Sequence, residues 1–490
     1  MVTEPHGIAD LAPEETLWID GGWTVDRQPL PVLDKYHGEE IGAVLKATPD
    51  DVDRAVGAAA RGGRRMARLP AHQRAAVLQR AAETLEMRAE LFAWTICREA
   101  GKPIALARVE VDRAVDTLRQ AASEVSRPDG EVAATDAVRG GERYFGLWRR
   151  RPVGVVAAIT PFNFPLNLVM HKVAPALAAG NAVVLKPSEL TPLSAVLLCQ
   201  TLLEAGLPAE AIQLLHGCGE TVGGGLVAHP GVDLITFTGS AAVGRQISRE
   251  AGLRRCALEL GNNSPAIICQ DADLEFAAAR CGFGGFAFAG QMCISVQRVY
   301  IERPVYDRFR DCLVAAAAAT VVGDPADEQV VTGPMITVRQ ADRIASWIDE
   351  ACQAGAAAVS GRRREGSVHW PTVLEHVPAD VRVVREEAFG PVVVIEPVAD
   401  FTEAVARADD TAFGLQAGIF TRDLDRALDA CDGLQFGGVV INDIPTVRLD
   451  HLPYGGTRGS GLGREGLRHA IEEMTEVQTI LVRRRGGGTE

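Results

Sequence analysis

The chain has 490 residues, 47% of them hydrophobic and 23% charged, with a formal net charge of -14. That length exceeds one ordinary core and implies two or three domains of a globular protein, and so acidic a balance excludes a nucleic-acid surface, which needs a basic face. The longest apolar runs are broken by Gly, Pro or Asn well short of the ~18 residues a membrane span requires, Met1 to Asp10 lacks the basic-then-apolar order of a secretion signal, and the ten scattered cysteines read as reduced thiols of a cytoplasmic protein with no metal site.

Leu17 to Trp23 reads as a small hairpin turning at Asp20-Gly21-Gly22. Between residues 49 and 119 the apolar positions Ala71, Ala75, Leu78 and Ala82 recur at helical spacing, with Asp50 or Asp51 as a cap. Arg108, Asp112, Val115 and Arg119 fall three and four apart, which puts both arginines near one face. That face is either a solvated charged stripe or a contact for an anion. Polar, turn-rich sequence at 127–142 reads as an inserted hairpin.

From Pro152 the pattern becomes strand-helix alternation. Strands at 153–159, 182–185, 212–215, 233–237 and 254–260 predict a parallel, doubly wound sheet with the ligand at its carboxyl ends. Lys186 and Glu189 place a cation and a carboxylate suited to ribose hydroxyls at one such end. Gly239 and Ser240 open a helix whose first N–H groups are free to face an anion, although Gly239 and Gly244 do not form the usual GxGxxG fingerprint. Glu259 closes an apolar strand, where burial raises a carboxyl toward the range of a general base; a surface glutamate in a salt bridge is the alternative. Asp273 caps a helix rich in Ala, Gly and Phe that leads to Gly290-Gln291-Met292-Cys293. There a single thiol sits on a loop before the strand at Val299, as a buried apolar filler or as a nucleophile. Alternation continues to about Pro397. Residues 442–466 form a Gly-rich lid or wall, Thr475 to Val482 alternates as an exposed strand suited to a subunit interface, and the final Arg-Arg-Arg-Gly-Gly-Gly is expected to be disordered.

Four segments in this order carry a resemblance: Thr160-Pro161-Phe162-Asn163-Phe164-Pro165-Leu166, Leu258-Glu259-Leu260-Gly261, Gly290-Gln291-Met292-Cys293, and Glu386-Glu387-Ala388-Phe389-Gly390-Pro391-Val392. Together they resemble the NAD(P)-dependent aldehyde dehydrogenase superfamily over roughly Leu17 to Val482, and in motif most of all its lactaldehyde/phosphonoacetaldehyde-type branch. The resemblance implies an α/β fold. A Rossmann-like cofactor domain would span residues 1–128 and 149–261, an α/β catalytic domain 262–452, and bridging segments 129–148 and 470–490. The bridging hairpin would pair with the C-terminal strand of another subunit in a homodimer or homotetramer. Cys293 then matches the nucleophile that forms a thiohemiacetal and a thioester, Asn163 the oxyanion donor beside the Cys293 backbone N–H, Glu259 the base for hydrolysis, and Lys172 a lysine near the site. Thr160, Lys186, Ser188, Glu189, Gly239, Ser240, Gly261, Glu387 and Phe389 match the contacts to NAD, with NADP possible. The substrate implied is a small polar or anionic aldehyde, held by Arg108 and secondarily by Arg113. A CoA-acylating enzyme and a catalytically silent binding protein on the same fold are the alternatives; the first usually lacks a base at the position of Glu259. Asn262 departs from the pattern, standing where most members have a second glycine. Asparagine there would preserve a left-handed turn and could place its amide on Glu259.

Overall fold

The computed structural model describes residues 12–127 and 130–484. Five strands, Ile212–Leu214, Ala182–Lys186, Val155–Ile159, Leu234–Thr238 and Arg255–Glu259, lie side by side in that order and run parallel. The Trp18–Ile19 and Gly22–Trp23 hairpin extends one edge and Gly461–Leu462 the other, both antiparallel. Alternate side chains of Val155–Ile159 enter different layers. Val156 and Ala158 share a core with Leu78, Val111, Val169 and Leu198, whereas Val155, Ala157 and Ile159 join Val52 and Val56 on the opposite face. Helices therefore cover both faces, and a strand so placed reads as a continuous apolar run.

The Pro49–Met66 helix is capped by Thr48, not by Asp50 or Asp51. Thr48 Oγ1 accepts from the Asp51 N–H at 3.3 Å, and the Asp51 carboxylate accepts from the Thr48 N–H at 2.9 Å. Asp51 sits three residues inside the helix, so it closes the capping box from within and also pairs with Arg27. Asp273 does cap the Leu274–Phe286 helix, accepting from the Phe276 N–H.

A second sheet has the order Ala357–Ser360, Thr372–Glu375, Val392–Val398, Arg298–Glu302, Pro265–Ile268, Gln416–Phe420, Gly438–Ile441. Only its first pair is antiparallel. Strand-helix alternation thus runs on to Ile441, past the expected end near Pro397, because the capped helices Phe401–Asp409 and Leu424–Gly433 continue it. The wall expected at 442–466 is tied in its second half: Tyr454 bridges Glu465, and Gly461–Leu462 joins the edge of the first sheet.

Strand Tyr144–Pro152 pairs antiparallel with Thr475–Arg483 on one side and Gly130–Ala133 on the other. The C-terminal strand was expected to pair with another subunit; it pairs within its own chain instead. The short helix Leu467–Glu473 ends beside Pro152, where the Val153 N–H and Asn181 Nδ2 both donate to the Met474 carbonyl, and nine residues then run in register from Thr475↔Pro152 to Arg483↔Tyr144. Among the described residues no helix is long and apolar enough to cross a membrane, and no group of three or more His, Cys, Asp or Glu could hold a metal. All ten cysteines are free. The segment Met1 to Asp10 and the glycine-rich end from residue 485 lie outside the described residues.

Candidate active site

The loop bearing Cys293 is shaped by an unusual backbone. After the Leu274–Phe286 helix, Phe288 (φ 51°), Ala289 (φ 55°) and Gly290 (φ 66°) are consecutive left-handed residues. Two of them carry a Cβ, and each such residue costs on the order of 1–2 kcal/mol. Gly290 admits no substitute, since a Cβ there would stand 2.2 Å from the Gly390 carbonyl oxygen. The buried Gln291 side chain holds the turn: Nε2 donates to the carbonyls of Phe288 and Pro334, and Oε1 accepts from the Ile336 N–H at 2.8 Å.

Cys293 emerges between two cavities and lines both, one of about 190 Å³ and one of about 320 Å³. Its Sγ lies 3.3 Å from the Tyr454 hydroxyl. Burial pushes the thiol up to about 11, while Tyr454 and Arg448 pull the other way. Asn163 faces the larger cavity; its Nδ2 donates to the Gln291 carbonyl at 2.9 Å, and its Oδ1 has no hydrogen-bond partner among the described residues.

Glu259 ends its strand behind this thiol. Burial, then the neighbouring carboxylate of Glu465, raises it well above the usual range, although Arg448, Lys172 and Arg464 oppose the shift. Its Oε2 is buried and has no hydrogen-bond partner among the described residues. Lys172 is turned away to Glu465 Oε1 at 2.9 Å and to Thr236 Oγ1 at 3.2 Å, and Arg448 Nη2 reaches Glu465 Oε2 at 2.9 Å. Burial alone would push Glu465 up, but these two cations more than reverse it, to about 2. Ionised Glu465 in turn disfavours charge on Glu259.

The larger cavity opens at the carboxyl ends of the first sheet. Ser240 caps the Ala241–Glu250 helix there, and Gly239 stands beside it. The hydroxyls of Thr160 and Thr238, at two neighbouring strand ends, are buried and have no hydrogen-bond partner among the described residues. Gly261 lies against Glu387, whose Oε2 would be 2.3 Å from any Cβ at that position. Burial raises Glu387 to about 7, offset in part by the Asn262 N–H and Arg343. Phe389 meets Phe162 edge to face at 5.8 Å. Lys186, Ser188 and Glu189 end the adjacent strand without lining either cavity. The Lys186 ammonium is buried and donates to the Pro187 carbonyl, Ser188 Oγ accepts from the Leu190 N–H, and Glu189 is exposed. A helix N-terminus beside orphaned hydroxyls, with a cation and a carboxylate one strand away, fits a pyridine dinucleotide.

The smaller cavity has aromatic and aliphatic walls with three cations, Lys102, Arg113 and Arg448, and the carboxylate Glu110. Arg113 reaches it but is held bidentately by Asp450 at 2.7 and 2.8 Å. Arg108 does not line it. Its guanidinium is taken by Glu90 and Glu328, because Arg108 and Arg113 are five positions apart on the helix and so point in different directions. Asn262 is likewise placed otherwise than expected. Its φ is not left-handed, and its buried amide donates to Ser264 Oγ and the Gln416 carbonyl rather than to Glu259. Tyr454, Arg448, Glu465 and Arg343 were not singled out from the sequence. The first three lie in the Gly-rich wall, whose only signal was the density of turn residues.

A model described as the aldehyde dehydrogenase family matches residues 23–480. The 3-sulfolactaldehyde dehydrogenase of Priestia aryabhattai is 44% identical over 466 residues, covering 95% of this chain and 97% of that protein. The crystal structure of aldehyde dehydrogenase 21 from Physcomitrella patens, in complex with the reaction product succinate, is 38% identical with a TM-score of 0.93, covering 96% of this chain and 98% of that one. A glyceraldehyde-3-phosphate dehydrogenase from Methanocaldococcus jannaschii, complexed with NADP, is 37% identical with a TM-score of 0.90, covering 94% and 100%.

Proposed function

This chain belongs to the aldehyde dehydrogenase family and oxidises aldehydes to carboxylic acids with NAD(P); we propose that its substrate is a small anionic aldehyde and that Cys293, Asn163 and Glu259 carry the chemistry. The thiolate of Cys293 attacks the carbonyl carbon, and the oxyanion formed accepts from Asn163 Nδ2 and the Cys293 N–H. A bound nicotinamide would supply the hydride acceptor through which the thiohemiacetal on Cys293 becomes a thioester. Glu259 takes the proton of the water that hydrolyses this thioester, and Lys172 holds Glu465 beside that base. A base in this place favours release of the free acid over transfer to CoA. Gly239, Ser240, Gly261, Glu387 and Phe389 would hold a dinucleotide along the larger cavity, with Thr160 at the neighbouring strand end and Lys186, Ser188 and Glu189 on the adjacent strand suited to its ribose hydroxyls.

The observation that carries the anionic substrate is the lining of the smaller cavity, where Lys102, Arg113 and Arg448 stand within reach of a ligand, each paired at rest with a carboxylate, Glu110, Asp450 and Glu465 respectively, that an anion would have to share. Sulfolactaldehyde, in the name of the Priestia relative, and succinate, in the Physcomitrella structure, are both anions, which supports the reading. Arg113, not Arg108, is the contact, joined by Arg448. Arg113→Ala is expected to raise the Michaelis constant for an anionic aldehyde about tenfold, ~1.4 kcal/mol, and to leave that for an uncharged aldehyde of equal length within about twofold. An equal rise for both would defeat the assignment.

Cofactor use is expected to favour NAD. Glu189 is exposed, and against an adenosine ribose its carboxylate would accept from a 2′-hydroxyl and repel a 2′-phosphate. The buried Lys186 is already committed to a backbone carbonyl. Catalytic efficiency should be higher with NAD, and Glu189→Ala should narrow the gap; a native preference for NADP would refute this reading.

The first sheet and its helices would form the cofactor domain, residues 1–128 and 149–261, and the second the catalytic domain, 262–452. The three-stranded bridging sheet exposes Val132, Phe145, Val477 and Leu481, an apolar surface suited to association of a cytoplasmic homodimer or homotetramer.

A further inference from the structure

Tyr454 has no part in the reading above, yet it touches the reacting atom. Its hydroxyl is 3.3 Å from Cys293 Sγ, and among the described residues that sulfur is its only hydrogen-bond partner. The ring is fixed on every side. Its backbone exchanges hydrogen bonds with Glu465 at 3.0 and 2.6 Å, Ile294 and Leu415 share its apolar cluster, and the Arg448 guanidinium stacks 3.8 Å from the ring centroid. Arg448 is itself held by Glu465 at 2.9 Å and Asp450 at 3.2 Å. Packing alone would be met by phenylalanine, so the hydroxyl serves the sulfur.

We propose that Tyr454 is a catalytic residue whose hydroxyl hydrogen-bonds the Cys293 sulfur in both of its protonation states and holds the thiolate toward the substrate cavity. In the resting enzyme the S–H donates to the phenol oxygen. When the S–H bond breaks, its proton passes to water in the cavity and its electron pair stays on sulfur. The phenol O–H then rotates to donate to that sulfur. Tyr454 keeps its own proton throughout, since burial and the adjoining thiol raise the phenol well above its ordinary range. Charge-assisted hydrogen bonds are about twice as strong as neutral ones, so the contact strengthens as the thiolate forms. A cation on the ring face adds to this by drawing on the phenol's electrons. A buried thiol otherwise ionises with difficulty, and this contact offsets part of that burial.

The inference rests on Cys293 as the nucleophile, and that reading stands or falls separately with Cys293→Ala. The experiment follows alkylation of Cys293 by iodoacetamide between about pH 6.5 and 9.5, read by peptide mass spectrometry on the full-length enzyme. Tyr454→Phe is expected to displace the rising limb by about one pH unit, which is about tenfold slower alkylation at any pH on it. The NADH burst should slow by a similar factor, with the Michaelis constant for NAD(P) unchanged within about twofold. Should that enzyme not fold, Tyr454→Met must give the same displacement. An alkylation curve that coincides with that of the parent enzyme overturns the proposal, even if steady-state turnover falls, since the tyrosine would then act through packing alone.

Discussion

Cys293→Ala is expected to abolish NADH formation from every aldehyde while leaving dinucleotide binding within about twofold. The first half follows from covalent chemistry: without the sulfur there is no thiohemiacetal from which hydride can leave, and no other group can substitute. Cys97, Cys199, Cys269 and Cys281 are buried in cores. Of the remaining five, none lines either cavity that meets Cys293. The second half follows from geometry. The Cys293 side chain contributes one small atom group to the larger cavity, whereas Gly239, Ser240 at the helix N-terminus, Gln340, Arg343 and Glu387 line most of the rest of its polar wall. Steady-state assays with titration of cofactor fluorescence check both. More than a trace of dehydrogenase activity in the variant would remove the nucleophile assignment.

Glu259→Gln should separate the two halves of the reaction. The thiol and oxyanion donor remain, so one equivalent of NADH should still form in a burst, after which the thioester accumulates. Steady-state turnover should fall by on the order of 100-fold, the size expected for loss of a general base. The parent enzyme adds a pH signature. Burial and ionised Glu465 raise the Glu259 carboxyl, so it is protonated further up the pH scale than an ordinary glutamate. Only the ionised form can take a proton from water, so hydrolysis should quicken as pH rises through that raised value. This dependence should vanish in the glutamine variant. Wild-type turnover in Glu259→Gln, or a pH profile identical in both enzymes, would exclude the role. Rapid-mixing fluorescence of NADH measures the burst and the slow phase together.

The parallel sheet was legible because its strands are covered on both faces, which writes them as unbroken apolar runs such as Val155–Ile159. The helix before Cys293 was legible from the capping aspartate at 273. The left-handed Phe288 and Ala289 were not, because neither residue prefers that conformation; the packing around Gln291 and Gly390 imposes it. Arg108 and Arg113 looked alike in sequence, and only the rotation of one helix separates them. Thr48 was overlooked as a cap because Asp51, three positions on, offers the stronger local signal. The convergence of Glu465, Arg448 and Tyr454 on the thiol and the base leaves no local pattern at all. It depends on a bridge that pairs Tyr454 with Glu465, and long-range pairing of this kind has no period to read.

The in-chain pairing of the last strand bears on how the protein is made. Arg151 faces Glu476 across that ladder, and the two are 325 positions apart. At about 5–20 residues per second of synthesis, the Tyr144–Pro152 strand waits roughly 15 s to 1 min for its third partner. Through that interval one of its edges offers unpaired backbone to any neighbouring nascent chain. Arg149, Arg150 and Arg151 stand on it consecutively, and charge on an open edge is a known deterrent to mispairing. Three consecutive arginines on an edge that waits for its partner are the kind of charge that disfavours mispairing.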